Sequence, residues 1–335
     1  MTLRLGVLGI DHGHIFGMLA NMKAQGCTCA QYWTDGPAVT EQKFNQVFPE
    51  VAKVADRRAV LDSDVDMVLI SAVPADRAAL AIEAMRAGKD VMVDKPGCTT
   101  LEQLAEIKQV QAETGRIWSV NFSERFEVRA TTRASELVAE GAIGRVIQVV
   151  TLAPHKQNLK TRPPWYFQRA RYGGILCDIG SHQVDQFLHF TGSTEVQVGH
   201  ALVENTTMPA EPGFQDFGEM TLVGDKGHGY LRLDWFTPDG LPTWGDGRLF
   251  LLGTEGTIEC RKYTEIGQPH RTDNLYLVNG SENRHIDCSD AELPYFPRLV
   301  ADVQARSWSA APQEHTFRTM QIAITAQMKA EGQDA

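Results

Sequence analysis

Between residues 1 and 120 the chain alternates short apolar runs with amphipathic segments, and this alternation constrains the fold more than any other feature. Leu3 to Ile10 reads as a buried strand, and the turn Gly9-Ile-Asp-His-Gly-His-Ile-Phe-Gly17 leads into a helical pattern ending near Gly26. A second strand spans about Thr28 to Trp33. Met67-Val-Leu-Ile-Ser-Ala-Val73 is an apolar run of the kind buried on both faces of a parallel sheet, followed by Pro74 and a helix from about Asp76 to Ala87 closed by Gly88. Asp90-Val-Met-Val-Asp-Lys-Pro96 is a further short strand. Strand, helix, strand in repetition requires crossover connections, so the expected architecture is a doubly wound parallel sheet.

In such a sheet ligands gather at the carboxyl ends of the strands, and the first helix offers free N–H groups to a pyrophosphate. Gly9 fits the first glycine of the fingerprint G-x-G-x-x-G, whereas Asp11 and His14 stand where its second and third glycines belong. Asp11, His12 and His14 are therefore expected to line a nucleotide or substrate pocket, the alternative being that the two histidines simply fill the turn. Two histidines at i,i+2 lack an evident third ligand, so no metal is expected. Asp35 is the acid nearest the end of the second strand, where ribose hydroxyls are bound. It sits slightly late, which leaves NAD and NADP both open. Pro74 and Lys95 fall at strand ends on the same side, and Pro96 biases Lys95 toward an extended backbone that aims its amine.

From residue 121 to 335 the pattern changes. Glu127 to Glu140 is amphipathic, Gly144 to Thr151 has strand character, and beyond Gly192 come Glu195–Val203, Phe214–Val223, His228–Phe236, Arg248–Leu252, Gly256–Cys260 and Asn274–Val278. Pro294 to Ser309 and Glu314 to Ala330 read as closing helices. The expectation is an α+β domain with one large open, mainly antiparallel sheet. A sheet face that large predicts a homo-oligomer, dimer or tetramer, built through it. The loop Ala153 to Tyr172 carries Lys156, Lys160, Arg162, Arg169 and Arg171 beside Trp165, Tyr166 and Phe167. Aromatic faces pack on sugar C–H surfaces and arginines grip carboxylates, so Trp165 and Arg169, with Arg171, are candidates for contact with a sugar or an acidic sugar. A solvated lid is the competing reading.

Just after that loop, Gly173 and Gly174 precede a helical pattern carrying Asp178, His182 and Asp185 on one face, with Val184, Phe187 and Leu188 at core-packing spacing. A histidine beside a carboxylate is a plausible general base, since neutral imidazole accepts a proton near pH 7.

Taken together, these segments resemble the Gfo/Idh/MocA family of nicotinamide-dependent oxidoreductases. The resemblance rests on the Gly9 turn, the Asp66-Met-Val-Leu-Ile strand with Pro74, the segment Ala87-Gly-Lys-Asp-Val-Met-Val-Asp-Lys-Pro96, and the Gly173 to Asp185 helix. Asp94-Lys95-Pro96 matches the family's Glu/Asp-Lys-Pro strand end. Asp178 and His182 match its Gly-Gly-Gly-x3-Asp-x3-His pattern, with Tyr172 in place of the first glycine. The resemblance implies NAD or NADP as cofactor, hydride transfer at a hydroxyl or carbonyl of a sugar, sugar acid or cyclitol, and Lys95, Asp178 and His182 at the chemistry. Two departures stand out: Asp11 and His14 for glycines, and Arg77 near where many members have a histidine. Competing readings are a glycosidase-like or lyase-like enzyme that retains NAD, and a non-catalytic nucleotide sensor.

Composition narrows the partners. A formal net charge of -10 repels phosphate backbones, so no nucleic acid is expected. Nowhere do ~18 apolar residues run together, so no membrane partner is expected either. The six cysteines are scattered without C-x-x-C spacing, and the amino terminus enters strand alternation directly. These features predict a cytoplasmic location.

Overall fold

A computed structural model describes residues 2–268 and 272–333. Its first unit gathers the apolar runs of the amino-terminal third into a single parallel sheet. The strands are β1 (Arg4–Leu8), β2 (Thr28–Trp33), β3 (Ala52–Lys53), β4 (Met67–Ile70), β5 (Asp90–Asp94) and β6 (Trp118–Asn121), in the spatial order β3-β2-β1-β4-β5-β6. Every residue of β4, β5 and β6 is buried, as is all of β1 except Arg4, because helices cover both faces. The order reverses between β1 and β4, which opens a crevice at their carboxyl ends. Gly9 makes that crevice possible. Its φ is +77°, and a Cβ there would lie 2.6 Å from the Cα of Ala72, just past β4. Its N–H donates to the Trp33 carbonyl (2.7 Å) and its carbonyl accepts from Ser71 N–H (3.3 Å), tying the ends of β1, β2 and β4 together.

The first unit comprises residues 1–121, 161–173 and 294–320. A division of the sequence at 120 does not foresee the two later segments, because they return through side chains with no local signature. Phe317 stacks on Trp118 (5.5 Å between centroids), the Tyr295 hydroxyl meets that of Ser119 (2.7 Å), and Gln313 accepts from the Trp118 N–H (3.0 Å). The segment 161–173 is fastened by Arg171, described below.

The second unit comprises residues 122–160, 174–293 and 321–335. Eight strands form its sheet: β7 (Val146–Pro154), β8 (Val196–Glu204), β9 (Phe217–Gly224), β10 (His228–Asp234), β11 (Arg248–Gly253), β12 (Gly256–Arg261), β13 (Asn274–Asn279) and β14 (Asn283–Asp287). Their order is β14-β13-β12-β11-β7-β10-β9-β8. All neighbours are antiparallel except β7 and β10. Burial alternates along β9, β10 and β11, as expected for a sheet with one covered face. The helix Gly180–Thr191 packs on β7 and β10, and the helix Arg129–Ala139 on β12 and β13. Leu252 and Val278 remain exposed. Among the described residues no helix is long and apolar enough to cross a membrane. All six cysteines are buried and none forms a disulfide.

Candidate active site

A cavity of about 310 Å³ opens at the ends of β1, β2 and β4 in the first unit. Gly9 and Asp11 form one wall, Trp33 and Asp35 a second, and Ala72, Val73, Ala75 and Asp76 a third. Two arginines border it, and each already holds a carboxylate. Arg57 lies over the Trp33 ring (5.6 Å) with its Nε 2.7 Å from Glu83, and Arg171 grips Asp76 through two N–H bonds of 2.9 and 2.6 Å. Burial pushes the Asp11 carboxyl up to about 6, against the opposing field of Arg77 and with help from Asp76 and Asp35.

Beside this cavity stands a fully buried carboxylate, Asp94, at the end of β5. His12 Nδ1 lies 2.9 Å from its Oδ2 and His14 Nδ1 2.8 Å from its Oδ1. Ser71 Oγ donates to Oδ2 at 3.2 Å and Arg77 Nη2 at 2.9 Å. Arg77 is itself fully buried, and donates further to the carbonyls of Ala72 (2.8 Å), Asp94 (3.0 Å), Pro96 (3.1 Å) and Lys95. Burial alone would raise the Asp94 carboxyl. Arg77, His14 and His12 together overcome it and hold the group well below the ordinary carboxylate range. His12 is drawn the other way: burial lowers it to about 4, although Asp94 pulls upward.

His12, His14 and Asp94 together have metal-ligand composition, so the third ligand that the sequence did not reveal is Asp94. Ser71 and Arg77 donate to that carboxylate, and the two histidine Nδ1 atoms, in the tautomer that carries the proton there, take up its remaining acceptor positions. The arrangement therefore orients two imidazoles, with Nδ1 of each turned toward Asp94.

Lys95 follows Asp94 directly, is 5% exposed, and is joined to Pro96 by a cis peptide bond. In the second unit, Asp178 ends the short helix Ile175–Asp178 and His182 lies in the next one, Gly180–Thr191. Both are buried, and the His182 ring meets Phe122 edge-on at 6.4 Å. Their support is polar. Gln215 accepts from Ile175 N–H and Gln327 from Leu176 N–H, each at 2.9 Å, satisfying two amides at the helix start. Gly174, with φ of +86°, leaves the space that Gln327 fills. Glu124 accepts from Gln183 (2.8 Å) and from Lys262 (2.6 Å), and Arg125 holds Asp185 through bonds of 2.6 and 2.7 Å.

Gly9, Asp11 and Asp35 meet in one cavity, while His12 and His14 meet on Asp94. Pro74 is buried at the first position of the turn Pro74–Asp76, and Val73, Ala75 and Asp76 line the cavity around it. Trp165 packs on Tyr166 (5.4 Å), and Arg169 begins the short helix Arg169–Tyr172. Arg171, expected near a substrate, borders the first unit's cavity with its guanidinium on Asp76. Asp185, expected on one polar face with Asp178 and His182, is fully buried and paired with Arg125, and every residue of its helix except His189 is buried. Trp33, Arg57 and Glu83 border the cavity with no motif to mark them, and Arg77 is visible in the sequence as a departure from the family pattern. Arg77 carries a legible hint. A cation as the first residue of a helix opposes the helix dipole, and needs a partner elsewhere.

Two family models match the chain: "Oxidoreductase family, NAD-binding Rossmann fold" over residues 19–122, and "GFO/IDH/MocA C-terminal domain" over residues 131–259. The chain belongs to the Gfo/Idh/MocA family of NAD(P)-dependent oxidoreductases. Among similar proteins is a "putative oxidoreductase" of Erwinia carotovora atroseptica, whose crystal structure superposes with a TM-score of 0.95 at 40% identity, covering 98% of this chain and 99% of that one. The 1,5-anhydro-D-fructose reductase of Ensifer adhaerens is 29% identical over 187 residues, 54% of this chain and 50% of its own. A levoglucosan dehydrogenase in complex with NADH shares the fold, with a TM-score of 0.79 at 17% identity over 99% of this chain and 97% of that one. The chain spans about half the length of the first curated relatives it matches, 44% and 50%.

Proposed function

We propose that this chain is an NAD(P)-dependent oxidoreductase that moves a hydride between the nicotinamide and a hydroxyl or carbonyl of a sugar, sugar acid or cyclitol. The observation that carries the reading is the crevice at the β1–β4 reversal, where Gly9 allows close backbone approach and Asp35 stands past β2. Relatives that act on anhydrofructose and inositol support the substrate class. Bound there, the dinucleotide supplies the hydride acceptor or donor.

In this reading Gly9, Asp11 and Asp35 hold the dinucleotide, with His12, His14 and Pro74 shaping the walls around it. His182 accepts the alcohol proton as hydride departs, and returns it in the reverse direction. Lys95 donates a hydrogen bond to a substrate oxygen and stabilises its alkoxide character. Asp178 orients His182 or the substrate, and Trp165 and Arg169 contact the sugar. The partly exposed sheet face of the second unit would join copies of the chain into a dimer or tetramer, and the protein would act in the cytoplasm.

The test mixes purified protein with NAD or NADP and a panel of sugars, cyclitols and sugar acids, and follows absorbance of the reduced nicotinamide. His182→Ala should lower turnover by ~10²–10⁴ while leaving dinucleotide binding intact. Full turnover by that variant rejects the assignment. Substrate conversion without net reduced nicotinamide would instead favour the NAD-retaining glycosidase-like or lyase-like chemistry.

A further inference from the structure

Resting on the oxidoreductase reading above, we infer that the cavity at the ends of β1, β2 and β4 selects NAD over NADP through the excess negative charge of its lining, and that Glu83 adds to the choice by holding Arg57. Trp33 ends β2 and Asp35 lies two residues beyond, where this topology places the adenosine ribose. A carboxylate there accepts a ribose hydroxyl and repels a 2′-phosphate.

Phosphate recognition needs a cation to answer that repulsion, and the cavity has two candidates. Arg171 is held by both oxygens of Asp76. Arg57 lies 5.6 Å over the Trp33 ring at the edge of the same cavity, but its Nε is 2.7 Å from Glu83. Arg58 approaches the other Glu83 oxygen at 3.8 Å without entering the cavity lining. The lining thus sets four carboxylates, Asp11, Asp35, Asp76 and Glu83, against two guanidiniums, an excess of two negative groups when all are ionised and of one when Asp11 is protonated. The Arg57–Glu83 pair is partly exposed, so breaking it alone costs little. The summed charge decides, because a 2′-phosphate would bring nearly two more negative charges to a lining already negative in excess.

The experiment measures dissociation constants for NAD and NADP on the purified full chain by calorimetry, in wild type and in Glu83→Gln and Asp35→Ser variants. Wild type should bind NAD at least about tenfold tighter than NADP. Glu83→Gln should tighten NADP by about threefold and leave NAD within about twofold, since it frees Arg57. Asp35→Ser should weaken NAD and bring the two dinucleotides toward equal affinity. Parity or an NADP preference in wild type overturns the inference while leaving the oxidoreductase reading intact. An unchanged ratio in Glu83→Gln overturns the role of Glu83. Failure of wild type to bind either dinucleotide overturns the oxidoreductase reading, and this inference with it.

Discussion

Asp11 stands where a dinucleotide turn ordinarily has glycine, and it shares a cavity wall with Gly9. A pyrophosphate laid over this turn would meet a carboxylate that burial has already raised to about 6. Like charges at such range exclude one another, so the protonated form of Asp11 is the one compatible with tight binding. Binding then takes up a proton, and the sign follows from linkage: affinity is full below the carboxyl's pKa and declines as pH rises above it. If only the protonated form binds, Kd scales as 1 + 10^(pH − pKa). From pH 6 to 8 that is a rise of about 50-fold, or about 2.3 kcal/mol.

Asp11→Asn removes the titration and keeps the volume. Its Kd should be nearly flat from pH 6 to 8, and at pH 8 tighter than wild type by up to about 100-fold. Trp33 lines the same cavity, so quenching of tryptophan emission by NADH is a direct readout at constant ionic strength. His12, lowered to about 4, contributes no titration in that window. His14 belongs to the same turn, so His14→Gln is measured alongside, and the slope lost in Asp11→Asn is the part due to Asp11. A wild-type Kd independent of pH, or a wild-type slope retained by Asp11→Asn, would refute the reasoning.

Two stability predictions follow from buried ion pairs. Arg77→Met leaves the Asp94 carboxylate buried without its guanidinium, and should cost ~3–5 kcal/mol in urea unfolding; a loss under about 1 kcal/mol would mean that the histidines alone compensate the charge. Glu124→Ala should cost a similar ~3–5 kcal/mol, because it leaves the Lys262 ammonium buried; Glu124→Met with Lys262→Met should recover most of the loss, and a double variant no more stable than the single one contradicts the ion-pair account.

Much of this was legible in the sequence. Where a strand is buried on both faces or alternates cleanly, as in Met67–Ile70 or Arg248–Gly253, periodicity locates it within a few residues. The edge strand Asn283–Asp287 escaped because four of its five residues are exposed, so it has no apolar rhythm to detect. The candidate site divides similarly. Gly9 and Asp35 are legible as lining of the cavity because topology assigns strand ends to ligands. The partners of Asp94 are not, since His12, Ser71 and Arg77 reach it across the sheet from three stretches whose proximity depends on strand order. Arg171 illustrates the same limit: its place beside charged and aromatic neighbours in sequence suggested a substrate contact, whereas it is paired 95 residues away with Asp76.

The two departures from the family pattern, His14 for glycine and Arg77 near a usual histidine, look independent in the sequence. In the structure they converge on one carboxylate. Asp94 takes Oδ1 to His14 and Oδ2 to Arg77, and so fastens the loop after β1 and the helix after β4 to the end of β5. Removing the His14 imidazole takes one partner from a buried anion, while replacing Arg77 takes the guanidinium that neutralises it. Each loss makes the other partner more important, because the desolvation cost of Asp94 is then borne by fewer donors. A double-mutant cycle of His14→Gly and Arg77→His, read by urea unfolding, should therefore show a coupling of about 1–3 kcal/mol. Additivity within about 0.5 kcal/mol would mean that the two substitutions arose as separate local adjustments, and that Asp94 is not the joint that ties this turn to Lys95.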